Sequence, residues 1–385
     1  MKETEMGYRG SKSSLLVHER VTSIGVKEQR VDGSWGVKNR NNILSSNPLR
    51  YTLTGFERNY QIKILSNQCN KKSYSTKGIK LLNPHFVTGF TDAEGSFIIA
   101  LWKDERLKND IRVTARFQIA LNKRDLKILK QIQEFYGGIG TINEDRASKA
   151  WKYSVNNIRD LLNIIIPHFV NYPLLSQKSA DFYLFMQIVQ LMNEGAHLNN
   201  TGLQQIVNIN ASLNKGNSDF ILSQFPQIVP VDRTIIETKT ISDPHWVAGF
   251  VSGDGNFDAG IRTATDTRNE RVYLRFRITQ HGKDIKLMEL ITKYLGTGRI
   301  EGGRGSVISK QNSTVNLVVG KFSDIINIII PFFNQYLIFG IKHLDYLDWA
   351  KIANIMNKGD HKSVEGFEEI RRIEGGMNKN RDKDF

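Results

Sequence analysis

The stretch PHFVTGFTDAEGSF, Pro84–Phe97, returns 160 positions later as PHWVAGFVSGDGNF, Pro244–Phe257. Each copy begins with a proline behind Asn83 or Asp243, a good N-cap followed by N1, so a helix is expected to start there. Each ends on one carboxylate, Glu94 or Asp254, directly before a glycine expected to stop the helix. Gly89 and Ala93 are four apart, as are Gly249 and Gly253, so each helix has a small-residue face that lets another helix backbone come close. If the two helices pack on each other, Glu94 and Asp254 meet at the end of the seam. Two carboxylates that close repel unless a proton or a cation lies between them. Hard oxygen donors, with no cysteine or histidine at matching positions, suit Mg²⁺ (or Mn²⁺) rather than zinc. A carboxylate pair holding a divalent ion is the apparatus of phosphodiester hydrolysis.

The repetition extends beyond these helices. RFQIALNKRDLKILKQI (Arg116–Ile132) is echoed by RFRITQHGKDIKLMELI (Arg275–Ile291), and LLNIIIPHF (Leu161–Phe169) by IINIIIPFF (Ile325–Phe333). Three markers in one order at nearly constant offset indicate two copies of one fold, hence an internal pseudo-dimer rather than a solenoid. Within each copy, period-two alternation marks half-buried strands. Val113, Ala115, Phe117 and Ile119 lie on one face and Arg112, Thr114, Arg116 and Gln118 on the other. The second copy sets Val272, Leu274, Phe276 and Ile278 against Arg271, Tyr273, Arg275 and Arg277. Amphipathic helices ending at Gly137 and Gly296 follow, then a second hairpin and further helices. The expected fold class is α+β: two α-β-β-α-β-β-α repeats with apolar strand faces packed under the helices.

The polar strand faces are the candidate DNA surface. A β-ribbon fits the major groove, where arginine reads guanine and glutamine adenine. Arg112, Arg116, Gln118, Arg271, Arg275 and Arg277 are the candidate DNA-binding residues, with Lys103, Lys149, Lys152, Arg262 and Arg299 adding phosphate or base contacts. The net charge of +14 and pI near 9.6 favour a polyanionic partner. Residues 1–80 hold 15 Lys and Arg against six Asp and Glu, leaving a net charge of only +5 for the rest, so local placement must carry the argument.

Other readings narrow the field. No apolar run approaches the roughly 20 residues needed to span a bilayer. The single cysteine, Cys69, excludes an intrachain disulfide and cysteine-based zinc sites. His85 and His245 read as packing or capping residues, EGGRGS (Glu301–Ser306) as a hairpin tip lacking the Walker lysine pattern, and DFYLFMQIVQLM as a core helix. No Ser-His-Asp or Cys-His arrangement is supported. The expected organisation is a basic, disordered leader over 1–80, a first repeat over 81–196, a connector over 197–240, a second repeat over 241–375 and a tail over 376–385.

FVTGFTDAEG and WVAGFVSGDG resemble the two signature motifs of the LAGLIDADG homing endonucleases, and the repeat spacing and the flanking TQHGKD, NIIIPFF and YPLLSQK segments agree over residues 81–375. The resemblance is to single-chain, two-repeat members encoded in fungal mitochondrial introns. It implies a DNA-binding saddle of two antiparallel four-stranded sheets, motif helices at the pseudo-twofold axis, and a monomer. It also implies cleavage of both strands across the minor groove of a long asymmetric double-stranded target, leaving short 3′ overhangs. Carried over by position, Glu94 and Asp254 match the metal-binding acid, and Ala93 and Gly253 the residue whose backbone carbonyl reaches metal. Gln280 matches a polar residue that orders catalytic water, with Leu121 its unlike counterpart, and Lys178 and Lys342 match an active-site basic residue. Asp92, matched by Ser252, is expected to be structural. A mitochondrial location follows. Residues 1–80 lie outside the resemblance and are expected to be a fused leader from an upstream exon or intron reading frame. Two alternatives use the same scaffold without needing the carboxylates: an RNA maturase binding its host intron, and a DNA-binding regulator.

Overall fold

The computed structural model describes residues 82–233, 240–263, 270–302, 314–378 and 381. The leader, Cys69 and most of EGGRGS lie outside the described residues. In the first copy the elements run α1 (Pro84–Glu94), β1 (Gly95–Lys103), β2 (Ile111–Asn122), α2 (Leu126–Phe135), β3 (Thr141–Asp145), β4 (Ala150–Val155), α3 (Ile158–Asp160), α4 (Ile166–Asn171), α5 (Lys178–Asn193), α6 (Asn200–Asn210) and α7 (Asp219–Gln224). The second copy runs α8 (Pro244–Asp254), β5 (Gly255–Thr263), β6 (Glu270–His281), α9 (Ile285–Leu295), β7 (Arg299–Gly302), β8 (Thr314–Val319), α10 (Phe322–Asp324), α11 (Ile330–Gln335), α12 (Lys342–Lys358) and α13 (Val364–Gly375). The two antiparallel sheets have the same order, β1-β2-β4-β3 and β5-β6-β8-β7.

Local chemistry explains the boundaries. The Asn83 amide oxygen and an Asp243 carboxylate oxygen accept the backbone N–H of His85 and His245, each at 2.8 Å, and Pro84 and Pro244 occupy the first helical turn. Gly95 and Gly255 cap the other ends in extended conformation, so each motif helix passes straight into a strand. The expected alternation is present: Val113, Ala115, Phe117 and Ile119 are buried on β2, and Leu274, Phe276 and Ile278 on β6. Phe97 and Phe257 sit at matching places in the two cores. Phe97 meets Phe117, Phe169, Phe182 and Phe185; Phe257 meets Phe276, Phe333, Tyr346 and Trp349.

Residues 197–240, expected as a connector, contain α6 and α7, both packed on the first core through Leu203, Ile206, Val207 and Ile221. α6 has the same entry as α13. Asn199 and Ser363 cap the backbone N–H of Gly202 and Gly366, and each glycine lies against a backbone carbonyl, Ala196 or Asp360, that a Cβ would strike. Residues 376–378 and 381, expected in the tail, are tied down: the Asn378 N–H and the Arg381 guanidinium donate to Asp345, and Met377 is buried. Asn214 and Arg233 grip Asp181 in the same way in the first copy.

His168, on α4, is buried against Phe135, Tyr136 and Phe169. The Thr88 hydroxyl donates to the Tyr172 carbonyl at 3.0 Å, which leaves its oxygen to accept from His168 Nε2, 3.1 Å away. Burial holds the imidazole pKa down at about 3. A histidine depressed in the folded state stabilises above its unfolded value, and that stability is lost as pH falls from about 6.5 toward 3. Between pH 7.5 and 5.0 this one group should cost about 2 kcal/mol. Urea unfolding at the two pH values should therefore show His168→Gln losing about 2 kcal/mol less than the wild type.

Candidate active site at the repeat interface

α1 and α8 cross with their backbones in contact. A Cβ built on Gly89 would stand 2.8 Å from the Trp246 carbonyl carbon and 3.0 Å from the Phe250 nitrogen, and closer still to the Trp246 oxygen. A Cβ on Gly249 would stand 2.9 Å from the Phe86 carbonyl carbon and 2.9 Å from the Phe90 nitrogen. One turn on, a Cβ on Gly253 would collide with Ala93 Cβ and stand 3.4 Å from Glu94 Oε1. The small-residue face therefore lets the helix ends converge and brings Glu94 over the residue next to Asp254.

Both carboxyls are raised above the usual carboxylate range, chiefly by burial; for Glu94 the Asp254 charge adds to it. Lys178 and Lys342 oppose the rise at both carboxyls. These lysines stand at the first positions of α5 and α12. Lys178 Nζ donates to the Thr91 and Ala93 carbonyls, at 3.0 and 3.2 Å, and Lys342 Nζ donates to the Gly253 carbonyl. Burial lowers both lysine pKa values, while Asp254 and Glu94 act against that shift. The cluster is thus two carboxylates and two ammoniums in one half-buried pocket of hard oxygens. The Gln280 side-chain amide donates to Asp254. Leu121, its counterpart on β2, packs against the first core and offers Glu94 no such donor.

Asp92 accepts the Leu175 and Ser176 N–H groups, the Ser176 hydroxyl and the Trp246 indole N–H, at 2.9, 3.1, 2.6 and 2.9 Å. These bonds join the segment before α5, and the second repeat, to α1. Ser252 does a smaller version of this work, accepting the Phe339 N–H at 3.1 Å. His85 packs edge-on to Tyr172, and His245 bonds Asp243.

The sheet faces carry the basic residues, many of them engaged. Arg112 pairs with Asp104, Arg275 with Asp258, Arg299 with Glu301, Lys103 with Glu105 and Lys152 with Asp145. Arg116 is exposed and donates to Asn156 at 3.0 Å, Gln118 is half-buried beside it, and Arg271 is exposed. Arg262 lies over the Tyr273 ring, 4.2 Å from its centroid. The Nε groups of Arg275 and Arg277 are buried with no partner among the described residues. Lys149 is at the β3–β4 turn with φ 53°.

Two residues that the sequence reading did not single out complete the pocket. The Asp125 carboxylate accepts the Ile341 N–H and the Asp284 carboxylate accepts the Gln177 N–H, each at 2.8 Å. Their signal was present in the echoed NKRD and HGKD, which place an aspartate at the same point of both repeats.

Two homologous α+β repeats, fused in one chain and meeting through a pair of glycine-bearing helices that end in acids, define a pseudo-dimeric nuclease class. The family model described as LAGLIDADG endonuclease matches residues 87–189 and 247–353, once in each repeat. The chain belongs to the LAGLIDADG endonuclease family. It is 43% identical to the probable intron-encoded endonuclease 3 of Neurospora crassa, over 97% of this chain and 70% of the relative. It is 39% identical to the probable intron-encoded endonuclease 2 of the same fungus, over 78% of this chain and 68% of the relative. The crystal structure of the I-SmaMI LAGLIDADG homing endonuclease bound to cleaved DNA is similar with a TM-score of 0.74 and 42% identity, covering 78% of this chain and 98% of that one.

Proposed function

We propose that the chain is a monomeric, divalent-metal-dependent homing endonuclease. It makes a double-strand break at a long, asymmetric DNA target and acts in the mitochondrion. The observation that carries the reading is the convergence of Glu94 and Asp254, with Lys178 and Lys342 near enough to act on both, at the crossing of α1 and α8. That convergence supports an endonuclease over an intron maturase, for which buried and mutually repelling carboxylates are a cost without a use. The solved relative's cleaved DNA supports DNA as the substrate.

The donor set fits Mg²⁺. Two carboxylates, together with the Ala93 and Gly253 carbonyls that already attract ammonium groups, are oxygen ligands of the right hardness, and Mg²⁺ completes its shell with water and phosphate. When bound there, the ion supplies water activation and stabilisation of the leaving oxygen. Gln280 fixes the orientation of the Asp254 carboxylate. Lys178 and Lys342, freed from the carbonyls, place positive charge on the phosphate as its own charge builds up. Arg112, Arg116, Gln118, Arg271, Arg275, Arg277, Lys103, Lys149, Lys152, Arg262 and Arg299 hold the duplex. Those paired with Asp104, Asp145, Asp258, Glu105 or Glu301 exchange that partner for DNA or keep it as a brace.

Incubating the protein and Mg²⁺ with a library of randomised duplexes and sequencing the ends tests this reading. One enriched long asymmetric site with short 3′ overhangs is expected. Failure to cut any duplex, or cutting indifferent to chelator, would remove the proposal. The Gln280–Leu121 difference makes a second prediction. On a plasmid carrying the selected site, Gln280→Leu should slow one DNA strand by about 10-fold, the low end for loss of one positioned donor, so nicked circle accumulates. Equal slowing of both strands would count against a half-site role.

A further inference from the structure

Each lysine is delivered to the pocket by a helix of its own repeat, and the start of that helix is also held by the other repeat, at α5 in addition to the Asp92 bonds. Asp284, closing the turn between β6 and α9, accepts the N–H of Gln177, the residue immediately before Lys178. Asp125, closing the corresponding turn between β2 and α2, accepts the N–H of Ile341, immediately before Lys342. Gln177 and Ile341 are the N-cap positions of α5 and α12, and neither caps its helix with its own side chain; at α5 the Ser176 hydroxyl accepts the Lys178 N–H at 3.2 Å. The exchange is reinforced by shape. Gly340, at φ 77°, lies so near Asp125 that a Cβ there would stand 2.6 Å from its Oδ1. Leu175 packs against the second core, while Phe339 packs against the first and meets Phe86 edge-on at 4.9 Å.

We infer that Asp125 and Asp284 are positioning residues: each clasps the partner repeat's lysine helix and sets the ammonium against the Ala93 or Gly253 carbonyl. The inference rests on the endonuclease reading only for its DNA readout. Because Asp284 acts on Lys178 and Asp125 on Lys342, the two clasps serve different half-sites, which a general contribution to folding would not do. The N–H bond needs only an acceptor oxygen, so asparagine should keep the clasp and alanine should not, although both substitutions remove a charge that favours the protonated lysine.

Two measurements on the full chain test it. In the DNA-free protein, reductive methylation read by mass spectrometry should rise several-fold at Lys178 in Asp284→Ala and at Lys342 in Asp125→Ala, and clearly less in Asp284→Asn and Asp125→Asn, which lose the charge but keep the acceptor. Unchanged reactivity, or a rise at both lysines in both variants, would overturn the clasp. On a plasmid carrying a site recovered from the randomised library, with Mg²⁺, Asp284→Ala should slow one DNA strand by about 10- to 100-fold and Asp125→Ala the opposite strand. The asparagine variants should restore the rate, with DNA affinity in chelator unchanged. Equal slowing of both strands, or asparagine as slow as alanine, would also overturn it. Where alanine prevents folding, Gln177→Pro removes the donor instead. Its φ of −57° already suits proline, and the loss should fall on the same strand as for Asp284→Ala. A wild-type protein that leaves every plasmid intact refutes the endonuclease reading, and the methylation pattern still decides the clasp.

Discussion

Glu94→Gln and Asp254→Asn should each abolish the double-strand break while leaving DNA affinity intact. A positioned ion lowers the barrier by several kcal/mol, and each 1.36 kcal/mol is a factor of ten, so loss of one carboxylate ligand should cost on the order of 10³-fold in single-turnover cleavage. Binding runs the other way. On the proposed function the carboxylates face the phosphate backbone, so neutralising one removes a repulsion, and the dissociation constant measured in chelator should stay level or tighten. Stability supplies a third arm. Both groups have folded-state pKa values raised mainly by burial. For an acid raised in the folded state, ionisation costs folding free energy above the folded pKa, and that cost disappears below the unfolded one. At pH 7.5 the amide variants should therefore unfold at the wild-type urea concentration or higher. Lost cleavage with retained binding and undiminished stability separates a chemical role from misfolding. If either variant linearised the target plasmid at the wild-type rate, the carboxylate pair would have no part in the chemistry.

The features legible in the sequence are those governed by local rules repeated twice. Asn83-Pro84 and Asp243-Pro244 start helices because capping is local, and Phe117 and Phe276 are buried because a strand's alternation assigns faces without reference to the rest of the chain. The approach of α1 to α8 could be read because the same spacing of small residues, Gly89 and Ala93 or Gly249 and Gly253, occurs in both. What escaped depends on long-range partners. Asp92 lacks an acidic counterpart, so nothing local announced that it would receive Trp246 from the other repeat. Asp125 and Asp284 stand in echoed segments with no local sign of a distant partner, yet their oxygens accept N–H groups 216 and 107 positions away. Arg112 and Arg275 were read as free to meet DNA because an alternating strand does not reveal that Asp104 and Asp258 flank the same face. The α6 pattern of Leu203, Ile206 and Val207 is helical, but the Asn, Gly and Ser residues that follow it dominated that stretch.

Gly89→Ala should destabilise the protein even though alanine is the better helix former. In a solvent-exposed helix the exchange gains about 1 kcal/mol. At position 89 the new methyl would press on the Trp246 carbonyl and the Phe250 nitrogen, which are backbone atoms of α8 and cannot turn aside as a side chain can. Relief requires the two helices to separate. Overpacking of a rigid contact costs roughly 1–3 kcal/mol and occasionally more, and a backbone contact belongs at the upper end. The net expectation is a loss of about 2 kcal/mol in urea unfolding. Gly375→Ala, at the exposed end of α13 with no atom near its added methyl, should be neutral or stabilising by up to about 1 kcal/mol. The opposite signs at two helical glycines isolate the contact from the propensity. Separation of α1 from α8 would also draw Glu94 away from Asp254, so cleavage by Gly89→Ala should fall further than its folded fraction explains. Gly249 presses on Phe86 and Phe90 across the same crossing. Once Gly89→Ala has opened the seam, adding Gly249→Ala should cost less than it does alone. Strict additivity of the two substitutions would mean that the glycines do not share one contact, and with it the account of how the acids are brought together would fail.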